Sequence, residues 1–190
     1  MQNCTDHELV RILNQKLEEC EECKNRNTKG GPLLTENSNY IDLMFIAQNP
    51  GKSWYDANVS PSDIVPFGLQ KKNPYNSFFF QFIDEFKRIY NREPIFYITN
   101  IIKCATKDNK VEDQDQIDTC VNRFLLKEIQ FFQNHNSNLL IVSLGKPSRE
   151  VLRNRTDITS RVTYFHHPGY MNRQGNEYKK EKVSQLIGEL

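Results

Sequence analysis

Four short apolar runs, each followed or preceded by a segment of helical spacing, set the limits on what this chain can fold into. The runs are "YIDLMFIA" (40–47), "IFYITNIIK" (95–103), "LLIVSLG" (139–145) and "VTYFHH" (162–167). Near-continuous apolarity over so few residues fits strands covered on both faces, as in a parallel sheet. Between them lie segments with apolar residues at helical intervals: residues 6–23, with Leu9, Ile12, Leu13 and Leu17 on one side; "SFFFQFIDEFKRIY" (77–90); 112–134, opened by the acids of "EDQDQID"; "PSREVLRN"; and the polar last dozen residues. Strict alternation of this kind predicts an α/β fold, a three-layer α/β/α sandwich around a mostly parallel four-stranded sheet. At 190 residues one domain spans the whole chain, 1–190, with the helix 6–23 at its start.

In an open parallel sheet, sites form at the carboxyl ends of the strands. Here those ends are Gln48-Asn49, Asn100, Ser143-Leu144-Gly145 and His166-His167. Three amides, a glycine turn and an imidazole should therefore converge on one edge. The turn "QNPG" after the first run is polar and tight at once, and by itself it is no more than a turn, because Asn, Pro and Gly build turns. The irregular stretch that follows, to residue 76, is long enough to be functional, and its aromatics Trp54, Tyr55, Phe67 and Tyr75 argue that it is ordered. "SFFFQFIDEF" reads as core, and Lys179, Lys180 and Lys182 read as a solvated helix face. Alternation puts His166 and His167 on opposite faces.

A net charge of +1 gives no global basic footprint, so a nucleic acid would have to be held by a local patch. No apolar run approaches the roughly 20 residues of a membrane span, and "MQNCTDHELVRILNQKL" does not read as a secretory leader. The expected setting is therefore the cytoplasm, with association to the nucleoid. There, five cysteines do not suggest a disulfide framework. Cys20 and Cys23 form a chelating pair, Cys104 follows a strand, and Cys120 lies fifteen intervening residues further on. Four thiolates suit zinc or an iron–sulfur cluster, and Cys4 is left over.

Taken in order, the CxxC pair, "QNPG", "PFG", "YITNIIKC", the second cysteine fifteen residues on, "SLG" and "HHPG" resemble the uracil-DNA glycosylase superfamily. The cysteine pattern is similar to that of its family 4, whose members carry a 4Fe–4S cluster. The resemblance runs from about Cys20 to Arg173 and implies a role for each matching position. Cys20, Cys23, Cys104 and Cys120 would hold the cluster. Phe67 would stack on a flipped base and Asn100 would read its Watson–Crick edge. Gln48 and Gly51 would contribute to the base pocket, the former through its backbone. Asn49 would orient a water, and His167 would donate to the base carbonyl. Met171 falls where the superfamily places its duplex wedge, with Arg173 beside it on the DNA.

The first motif departs from family 4, which has Glu-Ala-Pro-Gly there. Asn49 resembles the mismatch-specific and single-strand-selective branches instead. A carboxamide cannot act as a base, so most of the rate would rest on His167. The activity implied is that of a monomeric, monofunctional glycosylase, which extrudes uracil or a modified pyrimidine from DNA, hydrolyses its glycosidic bond and leaves an abasic site. Two other readings stay open. One is excision of a bulky 5-modified pyrimidine from phage DNA as host defence, motivated by Gly51. The other is a non-catalytic iron–sulfur DNA-binding module.

Overall fold

The computed structural model describes residues 7–22, 28–51, 53, 55, 59–108, 113–153 and 155–190. Cys4, Cys23 and Trp54 lie outside the described residues. The sheet has five strands: β1 (Leu33–Leu34), β2 (Leu43–Ala47), β3 (Phe96–Asn100), β4 (Leu140–Leu144) and β5 (Arg161–Phe165). Their order is β1-β3-β2-β4-β5. The four longer strands are parallel, in the registers Ala47↔Asn100, Phe45↔Val142 and Leu144↔Phe165. The fifth strand, β1, runs antiparallel on the outer edge of β3. Two residues bounded by turns carry no periodicity, which is why the sequence predicts four strands.

The predicted elements shorten at their ends. The helix expected over 6–23 is α1, Glu8–Glu18. Residues 77–90 form α2 (Ser77–Tyr90), closed by Asn91 in the left-handed region at φ 54°. The long helix expected over 112–134 is divided into α3 (Gln114–Cys120), a π turn (Val121–Leu125) and α4 (Leu126–His135). α5 spans Lys146–Arg153. Two helices end the chain, α6 (Pro168–Gln174) and α7 (Asn176–Glu189), separated by Gly175.

Side-chain alternation sorts the core into two halves. Leu43, Phe45, Ala47, Phe96, Ile98, Leu140, Val142 and Leu144 face α2, α6 and α7. Met44, Ile46, Tyr97 and Ile141 face the other way, with Val10 of α1, Ile129 and Phe132 of α4 and Leu152 of α5. Helices thus cover both faces, the expected three layers. Met171 is fully buried in the first half. Expected as a duplex wedge, it instead packs inward from α6, so it cannot enter a base stack without unfolding that helix. Lys179 is likewise no solvated lysine: it is buried, and its Nζ donates to Ser77 Oγ (2.8 Å) and Asn172 Oδ1 (3.4 Å), pinning α7 to α2 and α6. Lys180 and Lys182 are on the surface, paired with Glu177 and Glu181.

Candidate active site

The carboxyl ends of β2 and β3 are locked together beyond the ladder, since Ile101 N–H donates to the Ala47 carbonyl and Ile102 N–H to that of Gln48, both at 2.9 Å. This fixes Gln48, Asn49 and Asn100 side by side. They line a cavity of about 560 Å³, with Pro50, Gly51, Ser53, Ile64, Val65, Pro66, Phe67, Gly68 and His167 forming the rest of its wall. Six residues picked out in sequence, Gln48, Asn49, Gly51, Phe67, Asn100 and His167, thus share one cleft.

Each is held by a different device. The Asn49 carboxamide donates through Nδ2 to the Pro50 carbonyl (2.8 Å) and to Thr106 Oγ1 (3.2 Å). Its donors are thereby occupied, and Oδ1 is the group left to accept from a water or a hydroxyl. Thr106 lies six residues past the end of β3, where nothing in the sequence marks it. Asn100 is buried at its strand end and makes no side-chain hydrogen bond among the described residues. Its amide is therefore uncommitted on the cavity wall.

Phe67 sits in a single 3₁₀ turn, Pro66–Gly68, at φ 57°, followed by Gly68 at φ 62°. For a phenylalanine that conformation costs about 1 kcal/mol or more. It persists because the fully buried Asn76 amide donates to the carbonyls of Phe67 (3.2 Å), Gly68 (2.9 Å) and Lys71 (3.0 Å). Asn73 and Asn76 also form a reciprocal capping box before α2. The Phe67 ring packs 4.9 Å from Phe79 and 5.5 Å from His167.

His167 is the N-cap of α6, and its Nδ1 accepts the Gly169 N–H at 3.1 Å. In the neutral ring the proton is therefore on Nε2. Partial desolvation against the cavity walls, and secondarily the Arg173 charge, hold the pKa of this still solvent-exposed ring below the ordinary histidine value. Gly145 follows β4 at φ 94°, a conformation that favours glycine, and a Cβ there would be in ordinary contact with His167 Cβ at 3.4 Å. His166 turns elsewhere. Its Nδ1 is 2.5 Å from Tyr178 Oη and its ring lies 4.5 Å from Tyr170. The two rings separate as expected, but β5 ends at Phe165, so the helix cap and not strand alternation divides them. Arg173 is exposed, its guanidinium 5.8 Å from the Tyr170 ring.

The described cysteines, Cys20, Cys104 and Cys120, lie away from this cleft. Cys104 and Cys120 are buried in the second core half, and Cys20 is buried beside Phe124 of the π turn that follows Cys120. Lys29 joins two of their segments: it bridges Cys104 through the backbone, and its Nζ donates to the Cys20 carbonyl at 2.6 Å. Burial and a soft sulfur donor set fit an iron–sulfur group better than a hard cation. Among the described residues, however, no three ligand-type side chains stand close enough to hold a metal.

A parallel α/β layer with a polar cleft at its carboxyl edge places this chain among the α/β proteins that bind ligands at strand ends. Within that class it belongs to the Uracil DNA glycosylase superfamily, which it matches over residues 37–190. That match begins beyond Cys20 and Cys23. The chain is also similar to the Type-4 uracil-DNA glycosylase of Saccharolobus solfataricus, with 25% identity over 141 residues, 74% of this chain and 57% of that protein. It therefore spans little more than half the length of that relative. No described helix is long and apolar enough to cross a membrane.

Proposed function

We propose that the chain is a monofunctional DNA glycosylase that accepts an extruded uracil in the cleft and hydrolyses its glycosidic bond. The observation that carries this reading is the gathering of Gln48, Asn49, Gly51, Phe67, Asn100 and His167 around one cavity of base-accommodating size. Phe67 offers the base a ring face. Asn100, its amide uncommitted, offers one donor and one acceptor to the Watson–Crick edge of a pyrimidine. Asn49 Oδ1 accepts from a water near the sugar. As the water oxygen bonds to C1′, the C1′–N1 bond breaks and its electron pair passes to the base. The charge that develops on O2 meets the Nε2–H of His167, and the base finally takes up the proton that the water released. The lowered pKa suits this role: a neutral ring with Nδ1 already engaged presents Nε2–H without competing protonation. The exposed Arg173, on the helix that His167 caps, suits a DNA phosphate.

Cys20, Cys23, Cys104 and Cys120 are the residues to hold a 4Fe–4S cluster. Its contribution would be to folding, tying the chain after α1 to the segments after β3 and in α3. Anaerobically purified protein should be brown and contain iron, and Cys104→Ala should lose both the colour and solubility. Stoichiometric zinc without iron would sink this part.

A second substrate reading has its own observation. Among the described residues a Cβ at Gly51 would meet only Ser53 Oγ, at 3.7 Å, which supports room on this part of the wall for a substituent on C5 of a pyrimidine. One experiment separates the readings: incubation with oligonucleotides bearing uracil, hydroxymethyluracil, mismatched thymine or modified cytosines, with alkaline cleavage of abasic sites as readout. Uracil release lost in Asn49→Ala and His167→Ala supports the first. Preference for the bulky base, abolished by Gly51→Phe, supports the second. Binding without release from any of them would leave a non-catalytic DNA-binding module.

A further inference from the structure

Phe67 and Gly68 line the cavity, but the turn they begin continues outward to Asn76, and its exposed side chains include Lys71, Lys72 and Tyr75. Tyr75 is 71% exposed, the largest exposure among the big hydrophobic side chains of the described residues. Its backbone is nonetheless fixed. The Asn73 side chain accepts the N–H groups of Tyr75 (2.9 Å) and Asn76 (3.2 Å), and the Asn76 amide holds Phe67, Gly68 and Lys71 together. The inner ring and the outer ring are thus two ends of one rigid piece. α6, with Tyr170 and Arg173 on its surface, packs against the same turn.

Charge sets this surface apart. No Asp or Glu occurs between Asp63 and Asp84, or between Asp157 and Glu177, in a chain with 24 acidic residues. Lys87, Lys146, Lys180 and Lys182 each pair with a carboxylate, whereas Lys71 and Lys72 make no ion pair among the described residues. Lys72 lies instead 5.6 Å from the centre of the Phe80 ring. Unpaired lysines beside a rigid, solvent-facing aromatic complement a polyanion that also presents flat apolar faces, which is a nucleic acid strand.

We propose that the outer face of this turn grips the DNA strand next to the extruded nucleotide, with Lys71 and Lys72 on phosphates and Tyr75 stacked on a neighbouring base. The proposal rests on reading the cavity as a base pocket. It also supplies the stacking group at the mouth that the buried Met171 cannot be. The test is binding to an oligonucleotide with a non-cleavable tetrahydrofuran abasic site, followed by fluorescence anisotropy across a salt series. Lys71→Ala/Lys72→Ala should flatten the log–log salt slope by about 2. Tyr75→Ala should weaken binding about tenfold with the slope unchanged, and Tyr75→Phe should restore it. Lys87→Ala, at the far end of α2, serves as the control and should match the parent protein. Unchanged affinity and slope in both test variants overturn the proposal, even if the parent protein releases uracil. Loss of binding in the variants, with no base released from any substrate by the parent, would leave this surface standing and remove the glycosylase reading instead.

Discussion

The two faces of the sheet are built from different chemistry. Toward α2 the core is aromatic: Phe45 stands edge-on to Phe79 (5.1 Å), Phe96 (5.6 Å) and Phe82 (5.9 Å). Toward α4 it is mainly aliphatic, but it encloses an ion pair. Lys103 Nζ donates to both oxygens of Glu128 (2.7 and 2.9 Å) and to Thr99 Oγ1, all buried. Burial, and then the neighbouring Glu128 carboxylate, push the Tyr97 phenol well above its ordinary pKa. The aromatic face leads without a break into the cavity, from Phe45 to Phe79 to Phe67 to His167. The face with the ion pair leads through Lys103 to Cys104, in the same core half as Cys120. Damage to one face should therefore show in chemistry, and damage to the other in folding.

The largest expected effect tests the polar face. Glu128→Ala leaves a buried lysine uncompensated and should cost about 3–5 kcal/mol in urea unfolding, while Lys103→Met/Glu128→Leu should recover most of it. A loss below 1 kcal/mol would mean that the pair is solvated and the contrast between faces is wrong. Next comes His167→Ala, expected to slow base release by about 10²–10³ while changing the unfolding midpoint little. Equal losses at His166 would show that the helix cap does not separate the two rings.

Asn76→Ala joins the two kinds of effect. Losing a buried multiple donor should cost about 1–3 kcal/mol, and releasing Phe67 should raise KM more than it lowers kcat. In a Phe67→Ala background the KM effect should vanish and the stability loss should persist; persistence of both would make Asn76 merely structural. A smaller effect concerns pH. The folded pKa of His167 is below its unfolded value, so between the two the unfolded chain binds more protons and stability rises with pH. The loss begins as pH falls through the ordinary histidine range and is complete below the lowered value; His167→Ala should flatten this slope. Smallest is His166→Ala, expected to shift stability by less than about 1 kcal/mol through the lost Tyr178 contact.

What the sequence made legible follows the same division. Three of the four parallel strands, β2, β3 and β4, could be read because burial on both faces leaves an unbroken apolar run, whereas β5 is a largely exposed edge strand; the cleft could be read because strand ends converge in such a sheet. β1 was too short to carry a pattern. α6 is not among the expected elements although Pro168 at its first turn and Gly175 beyond its end are ordinary helix signals, and the resemblance that puts a duplex wedge at Met171 carries no information on the burial of its side chain. Thr106 and the Asn76 clamp act across turns, where partners depend on backbone conformation and spacing says nothing. The left-handed Phe67 was unpredictable for the same reason: residue type disfavours it, and only Asn76 makes it stable.

The outer edge of β3 has a consequence for how this protein behaves when crowded. β1 covers Tyr97 and Ile98, Thr35 Oγ1 accepts the Phe96 N–H at 2.9 Å, the Thr35 N–H donates to the Phe96 carbonyl, and Asp42 Oδ2 accepts the Ile95 N–H at 2.8 Å. The backbone groups that a foreign strand would need are thus taken by a two-residue strand, a threonine and an aspartate. That side of an otherwise very apolar sheet offers no template for strand addition, so concentrated protein should resist edge-to-edge aggregation from there.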